Sequence, residues 1–189
     1  AATRGRADRC QLYPGVAMGA GADGQQRSTE EFMELMATVP NIHWQALLRD
    51  NRPCKPLILA VEGYALAGGT EILQGTDIRV AAEDAIFGVT EVARGLYPMS
   101  GSTVRLRKQI PYCIAAEILL LGEHVSAQQA LEFGLINRIV PKGETLNEAK
   151  KIAEKICANG PLAVKAVTRS LREHTEHLSE DEAMLKSDE

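Results

Sequence analysis

The chain has 189 residues, of which 45% are hydrophobic and 4% aromatic, and its formal net charge is −4. This length fits one domain, or one domain and an appendage, with a largely aliphatic core. The acidic balance argues against a general nucleic-acid binder, which needs a basic face. No apolar run approaches the roughly 20 residues of a membrane span.

The cysteines and histidines indicate a reduced protein without a metal site. Four cysteines are scattered along the chain and form no C-x-x-C pair, which is typical of reduced thiols inside the cell. No signal-peptide-like apolar stretch opens the sequence, so we expect a cytoplasmic protein. Only His174 and His177 are close in sequence, and without a third ligand nearby we expect no metal site.

The first fifty residues contain a glycine-rich turn and two helical patterns. Residues 1–17 show no periodicity and stay unassigned, whereas Gly19–Gly24 predicts a flexible turn. Ser28 and Glu31 match a capping box at the start of a helix. A second helical piece, Asn41–Arg49, leads into a proline-rich connection.

The central stretch, Lys55–Glu71, predicts a strand that turns on glycines into a helix. Its sequence is K-P-L-I-L-A-V-E-G-Y-A-L-A-G-G-T-E. Leu57–Val61 has the length and apolar character of a strand, and Thr70–Gly75 has a helical pattern. The two glycines between them, Gly68 and Gly69, would leave free backbone N–H groups at the start of the helix.

Downstream of Gly75 the pattern alternates between short strands and helices. Ser100 or Ser102 is positioned to cap a helix that ends near Gln109. Between Gly75 and this helix the sequence predicts, in order, the strand Asp77–Ala81, the extended segment Ala85–Gly88 and the helical turn Thr90–Gly95.

The remaining sequence predicts four helices and one strand. We expect Tyr112–Leu121 to be buried because it is apolar nearly all round. A short helix, Ser126–Phe133, precedes a strand, Leu135–Val140. Two amphipathic helices follow, Thr145–Ala158 and one that starts at Pro161. Their predicted inward-facing residues are Leu146, Ala149, Ile152, Ala153, Ile156, Val164, Val167 and Leu171.

This order of elements predicts an α/β core over residues 1–140 and a helical C-terminal region over residues 141–189.

Two pairs of features carry candidate chemistry. The glycine turns at Gly21–Asp23 and Gly68–Gly69 could bring two N–H groups to one point as an oxyanion hole, or be ordinary helix entries. Glu71 and Glu91, both among apolar neighbours, could hold a water and divide acid and base roles. The alternative is that each glutamate simply favours the first turn of its helix.

Taken together, these segments resemble the crotonase superfamily, the enoyl-CoA hydratase/isomerase family. The resemblance covers roughly residues 20–178, and the combination is more specific than any one motif. The segments that carry it are Ala20–Asp23, Lys55–Glu71, Asp77–Ala81, Phe87–Glu91, Gly95–Ser102, Ala130–Pro141 and Asn159–Lys165.

The resemblance implies a spiral of βαβ repeats, a homotrimer or homohexamer, and an acyl-CoA thioester whose coenzyme A is part of the substrate, with no separate cofactor. The N–H groups of Ala22 and Gly68 would bind the thioester oxygen. Glu71 would act as a base toward water and Glu91 would pass a proton to the α-carbon, hydrating a trans-2-enoyl-CoA. The residues that would contact coenzyme A are Ala20, Asp23 and Arg27.

Three departures from the family pattern bear on the substrate. Family members have segments before the A-G-A-D loop and after Leu178 that are not recognisable here, so we expect a chain that is incomplete at both ends. Met99 replaces a common glycine. Gln25 replaces a lysine near the CoA phosphates, where Arg27 would substitute.

Related activities stay open as alternatives: an isomerase, a thioester hydrolase, a dehalogenase, or a non-catalytic or RNA-binding member. The presence of both glutamates favours hydration.

Overall fold

A computed structural model describes residues 34, 37–38, 47–48 and 53–173. Residues 53–173 form six strands, six α-helices and one 3-10 turn. In chain order these are β1 (Ile58–Val61), β2 (Tyr64–Leu66), α1 (Gly68–Gln74), β3 (Ile78–Ala82), β4 (Ile86–Gly88), the 3-10 turn (Val92–Arg94), α2 (Ser102–Gln109), α3 (Tyr112–Leu121), β5 (Val125–Ser126), α4 (Ala127–Glu132), β6 (Arg138–Val140), α5 (Thr145–Ala158) and α6 (Pro161–Glu173).

The strands form two three-stranded sheets. One has the order β1-β3-β6 with all strands parallel, and its register pairs Ile58 with Ile78 and Val80 with Arg138. The other has the order β2-β4-β5, in which β2 and β4 are parallel and β5 is antiparallel. Successive strands β1 to β4 therefore alternate between the sheets, with α1 joining β2 to β3. The prediction of an α/β fold is confirmed.

The core lies between the sheets and the helices that cover them. Helix α5 packs across β1, β3 and β6, and α1 packs against β2 and α2. Most of the buried side chains are aliphatic, as the low aromatic content predicts. The largest fully buried apolar side chains are Phe87, Leu73, Leu106, Leu135, Val80 and Val89.

The prediction that Tyr112–Leu121 is buried is wrong for most of this helix. Only Ala115 and Ile118 are buried, while Tyr112, Leu120 and Leu121 are exposed. Helix α3 therefore buries a narrow stripe, because among the described residues only α2 and the 3-10 turn pack closely against it.

The prediction of inward-facing residues is also partly wrong in the last two helices. Ala149 and Ile152 are buried on α5, but Leu146 is exposed. On α6 Val167 and Leu171 are exposed, because no element within residues 53–173 covers that face of the helix.

Two local expectations are corrected as well. Neither Ser100 nor Ser102 caps α2 with its side chain; the N-cap residue is Gly101, at φ 113°, a left-handed conformation that suits glycine. Cys54 and Cys113 are free and exposed, but Cys157 is disulfide-bonded, so the expectation of reduced thiols is wrong at that position.

Several predictions lie outside the described residues. These are the glycine turn Gly19–Gly24, the capping box at Ser28, and the histidines His174 and His177. Within the described part of the chain, no helix is both long and apolar enough to cross a membrane.

Candidate active site

The entry to α1 is a strained turn. Ala67 has φ 51° and ψ −121°, a conformation that L-residues rarely adopt and that costs about 1–3 kcal/mol. Its N–H donates to the Gly88 carbonyl at 2.8 Å, and its carbonyl accepts from the Glu71 N–H at 3.0 Å. Gly68 begins the helix, so its N–H has no intrahelical acceptor. The turn thus presents a backbone donor beside Gly88.

Thr70 ties this turn to the end of β4. Its buried hydroxyl donates to the Ala65 carbonyl and accepts from the Gly88 N–H at 3.0 Å. Both backbone polar groups of Gly88 are therefore bound to the entry of α1. A Cβ at Gly88 would lie 3.0 Å from the Glu123 carbonyl oxygen, so this close approach requires glycine. The segment leading to Glu91 is fixed relative to Gly68.

Glu71 lies one turn into α1 with its carboxylate buried, at 3% residue exposure. Its Oε1 accepts two backbone N–H groups from the start of α2, those of Ser100 at 3.0 Å and Ser102 at 3.3 Å. Two such donors offset the cost of burying the charge. Both bonds use Oε1, and no described residue donates a hydrogen bond to Oε2.

Glu91 stands at the start of the 3-10 turn and is half-buried. Its carbonyl accepts from the N–H groups of Arg94 and Leu96, which fix its backbone. Its Oε2 is buried and has no hydrogen-bond partner in the described part of the chain. Burial raises the pKa of Glu91, and the nearby charge of Glu71 raises it further.

The two carboxylates therefore have different environments. Glu71 is bound by two N–H donors, whereas Glu91 is desolvated and interacts with the Glu71 charge. Neighbouring carboxyl groups with unlike surroundings can share acid and base roles in one reaction. Among the described residues, no group of three His, Cys, Asp or Glu side chains is arranged to hold a metal ion.

The structure places only part of the predicted site. Gly68 and Glu71 lie in one helix, and Glu91 lies close enough for the charge of Glu71 to raise its pKa. The remaining predicted site residues lie outside the described part of the chain; they are Ala20, Ala22, Asp23 and Arg27.

Sequence reasoning missed the residues that hold the site together. Thr70 follows the glycine pair directly, which was the available signal for a residue that braces the turn. The N–H groups of Ser100 and Ser102 come from a segment 29 and 31 residues further along, and nothing local to Glu71 points to them.

Comparison with known proteins identifies the family. The sequence profile described as enoyl-CoA hydratase/isomerase matches residues 15–188. The chain belongs to this family. It is 59% identical over 138 residues to the enoyl-CoA hydratase EchA19 of Mycobacterium tuberculosis, a match that covers 73% of this chain and 52% of that protein.

Two further matches agree with this assignment. The short-chain-enoyl-CoA hydratase of Clostridium acetobutylicum is 43% identical over 111 residues, which cover 59% of this chain and 42% of that protein. The crystal structure of enoyl-CoA hydratase EchA1 from Mycobacterium marinum superimposes with a TM-score of 0.71 at 46% identity, covering 74% of this chain and 57% of that one. The prediction of a crotonase-like fold is confirmed. The chain spans about half the length of the curated relatives it matches.

Proposed function

We propose that the protein hydrates a trans-2-enoyl-CoA thioester. The observation that carries this proposal is the pairing of Glu71 and Glu91 in unlike environments beside the entry of α1. Membership in the enoyl-CoA hydratase/isomerase family supports it. The names of the two curated relatives, both enoyl-CoA hydratases, support it further.

In the proposed reaction, the oxygen of a water bonds to C3 while the C2–C3 π electrons shift toward the thioester oxygen. The N–H groups of Gly68 and Ala22 would bind that oxygen, where preorganised donors contribute about 3–4 kcal/mol each in other oxyanion holes. The free Oε2 of Glu71 would accept the water proton. The carboxyl of Glu91, whose raised pKa favours the protonated form, would deliver a proton to C2.

The proposal extends to binding and assembly. Ala20, Asp23 and Arg27 would contact coenzyme A, as the resemblance in that loop implies, and no further cofactor would be needed. A homotrimer or homohexamer would be the working assembly. The exposed free thiols of Cys54 and Cys113 support a cytoplasmic location, whereas the disulfide at Cys157 counts against it.

The test is a hydration assay on the full-length protein with a short and a long trans-2-enoyl-CoA. We expect loss of the enoyl-thioester absorbance and formation of a 3-hydroxyacyl-CoA that carries ¹⁸O when the assay contains H₂¹⁸O. An isomerase would instead convert a 3-enoyl-CoA to the 2-enoyl isomer without ¹⁸O. Binding of CoA thioesters without turnover of either substrate would contradict the hydratase proposal and favour a binding role.

A further inference from the structure

A buried glutamine, Gln74, contacts the same helix start that holds Glu71. Gln74 lies three residues after Glu71 in α1, and its Nε2 donates to the Ser102 Oγ at 2.9 Å. Ser102 is the first residue of α2 and is fully buried. Its N–H donates in turn to Glu71 Oε1 at 3.3 Å. Helix α1 therefore binds Ser102 twice, once through its backbone and once through its side chain.

Gln74 is itself braced from the far end of α2. Its carbonyl accepts from Gln109 Nε2 at 2.9 Å, and Gln109 Oε1 accepts from Arg79 at 2.9 Å. Arg79 is buried on β3 and also donates to the Leu135 carbonyl. These bonds connect both ends of α2 to α1 and β3. We infer that these polar contacts, which run from buried Gln74 and Ser102 to the exposed Gln109, set the separation between Glu71 and its two N–H donors.

The buried amide of Gln74 is less favourable for stability than an apolar side chain would be. It is 1% exposed, and its Oε1 has no hydrogen-bond partner among the described residues. A buried polar atom without a partner is destabilising, and an apolar side chain of similar size would avoid that cost. Packing alone therefore does not explain a glutamine at position 74.

We propose that Gln74 is a positioning residue for the Glu71 carboxylate in the reaction proposed above, on which this inference rests. Gln74 holds Ser102 so that its N–H reaches Oε1, which leaves Oε2 to accept the proton of the reacting water. The Ser102 bond is the longer of the two at Oε1, so it is the bond that a small shift of α2 would break first.

The test uses Gln74→Met, Ser102→Ala and the double variant in the full-length protein. We expect each single variant to lower kcat about 10-fold while KM stays within twofold, because misplacing a catalytic group mainly affects the chemical step. The double variant should be no slower than the single variants, because both changes remove the same hydrogen bond, from Gln74 Nε2 to Ser102 Oγ. Gln74→Met should keep the wild-type melting temperature, since it also removes the unpartnered Oε1.

The matched control is Gln128→Met, which removes an exposed glutamine whose Nε2 donates to Glu132 within α4. This variant should keep the wild-type kcat. Wild-type kcat in Gln74→Met, or losses that multiply in the double variant, would overturn the inference.

A second readout does not depend on activity. The Ser102 amide should exchange with deuterium about 10-fold faster in Gln74→Met than in wild type, with the Ala81 amide of β3 unchanged. Unchanged protection at Ser102 contradicts the positioning role even if the wild type hydrates no enoyl-CoA. An active wild type with unaffected Gln74 and Ser102 variants would contradict this inference alone and leave the proposed function standing.

Discussion

Two glutamates in this chain bind the start of a helix with the same spacing of donors. Glu71 accepts the N–H groups of Ser100 and Ser102 at the start of α2. Glu62, in the turn after β1, accepts the N–H groups of Gly143 and Thr145 at the start of α5. Each carboxylate thus satisfies two backbone donors, two residues apart, that the helix itself cannot pair.

The two carboxylates differ in what remains free. Glu62 is exposed and uses both oxygens, and Oε1 also accepts the Thr145 hydroxyl at 2.6 Å. That hydroxyl bond, followed by the Gly143 N–H, lowers the pKa of Glu62. Glu71 is buried and takes both donors on Oε1. Both oxygens of Glu62 therefore accept hydrogen bonds, whereas Oε2 of Glu71 accepts none from the described residues.

The largest effect is expected from Glu91→Gln, which removes the proposed acid beside Glu71. We expect kcat on a trans-2-enoyl-CoA to fall about 10³-fold, within the range for loss of a general acid. An assay by enoyl-thioester absorbance measures this directly. A loss of less than about tenfold would show that Glu91 is not the proton donor.

The same variant has a stability signature that depends on pH. Because burial raises the pKa of Glu91, the folded wild type loses stability as pH rises from the ordinary glutamate value, about 4, through the raised value. A glutamine does not titrate. The melting temperature of Glu91→Gln relative to wild type should therefore rise in calorimetry as the pH increases above about 4. A constant difference would contradict the burial of this carboxyl.

A smaller loss is expected from Thr70→Val, which removes the bridge between α1 and Gly88. The change leaves the Gly88 N–H buried without its acceptor, which costs about 2 kcal/mol of unfolding free energy. It also loosens the turn that carries Gly68, so kcat should fall about 10-fold. Thr76→Val, which removes only a local bond to the Leu73 carbonyl, is the matched control and should keep the wild-type kcat.

The smallest effect is expected from a change at the contact between Glu62 and Thr145. Thr145→Val removes the hydroxyl bond to Glu62 and should lower the melting temperature by about 3–5 °C with kcat unchanged. The difference should shrink as pH falls through the lowered pKa of Glu62. Thr168→Val, which removes a bond within α6 to the Val164 carbonyl, should change the melting temperature less.

The sequence predicted the elements whose signals are local. Apolar runs and glycine turns predicted β1, α1 and β3 to within two residues at their ends, and Thr145–Ala158 matches α5. The strained residue of the central turn was missed, because the turn bends at Ala67 and not at the glycines that follow it. The exposed apolar faces of α3 and α6 were also missed, because periodicity identifies an apolar face but not what covers it.

The site was predictable only where a motif marks it. Gly68, Glu71 and Glu91 follow from the family resemblance, and their roles stay predictions. The contacts that position carboxylates in this chain join segments that are distant in sequence. The Ser102 N–H that binds Glu71 lies 31 residues further along the chain, and the Gly143 N–H that binds Glu62 lies 81 residues further along. Such pairings depend on tertiary packing, so no local pattern at either partner indicates them.

The most direct test compares Glu71→Gln with Glu62→Gln in the full-length protein, with kcat measured on a trans-2-enoyl-CoA. Glutamine is similar in shape and its Oε1 can still accept the two N–H groups, but its amide nitrogen cannot take a proton from water. We predict a loss of about 10³-fold for Glu71→Gln and none for Glu62→Gln. Equal activity in the two variants would show that Glu71, like Glu62, only binds the start of a helix.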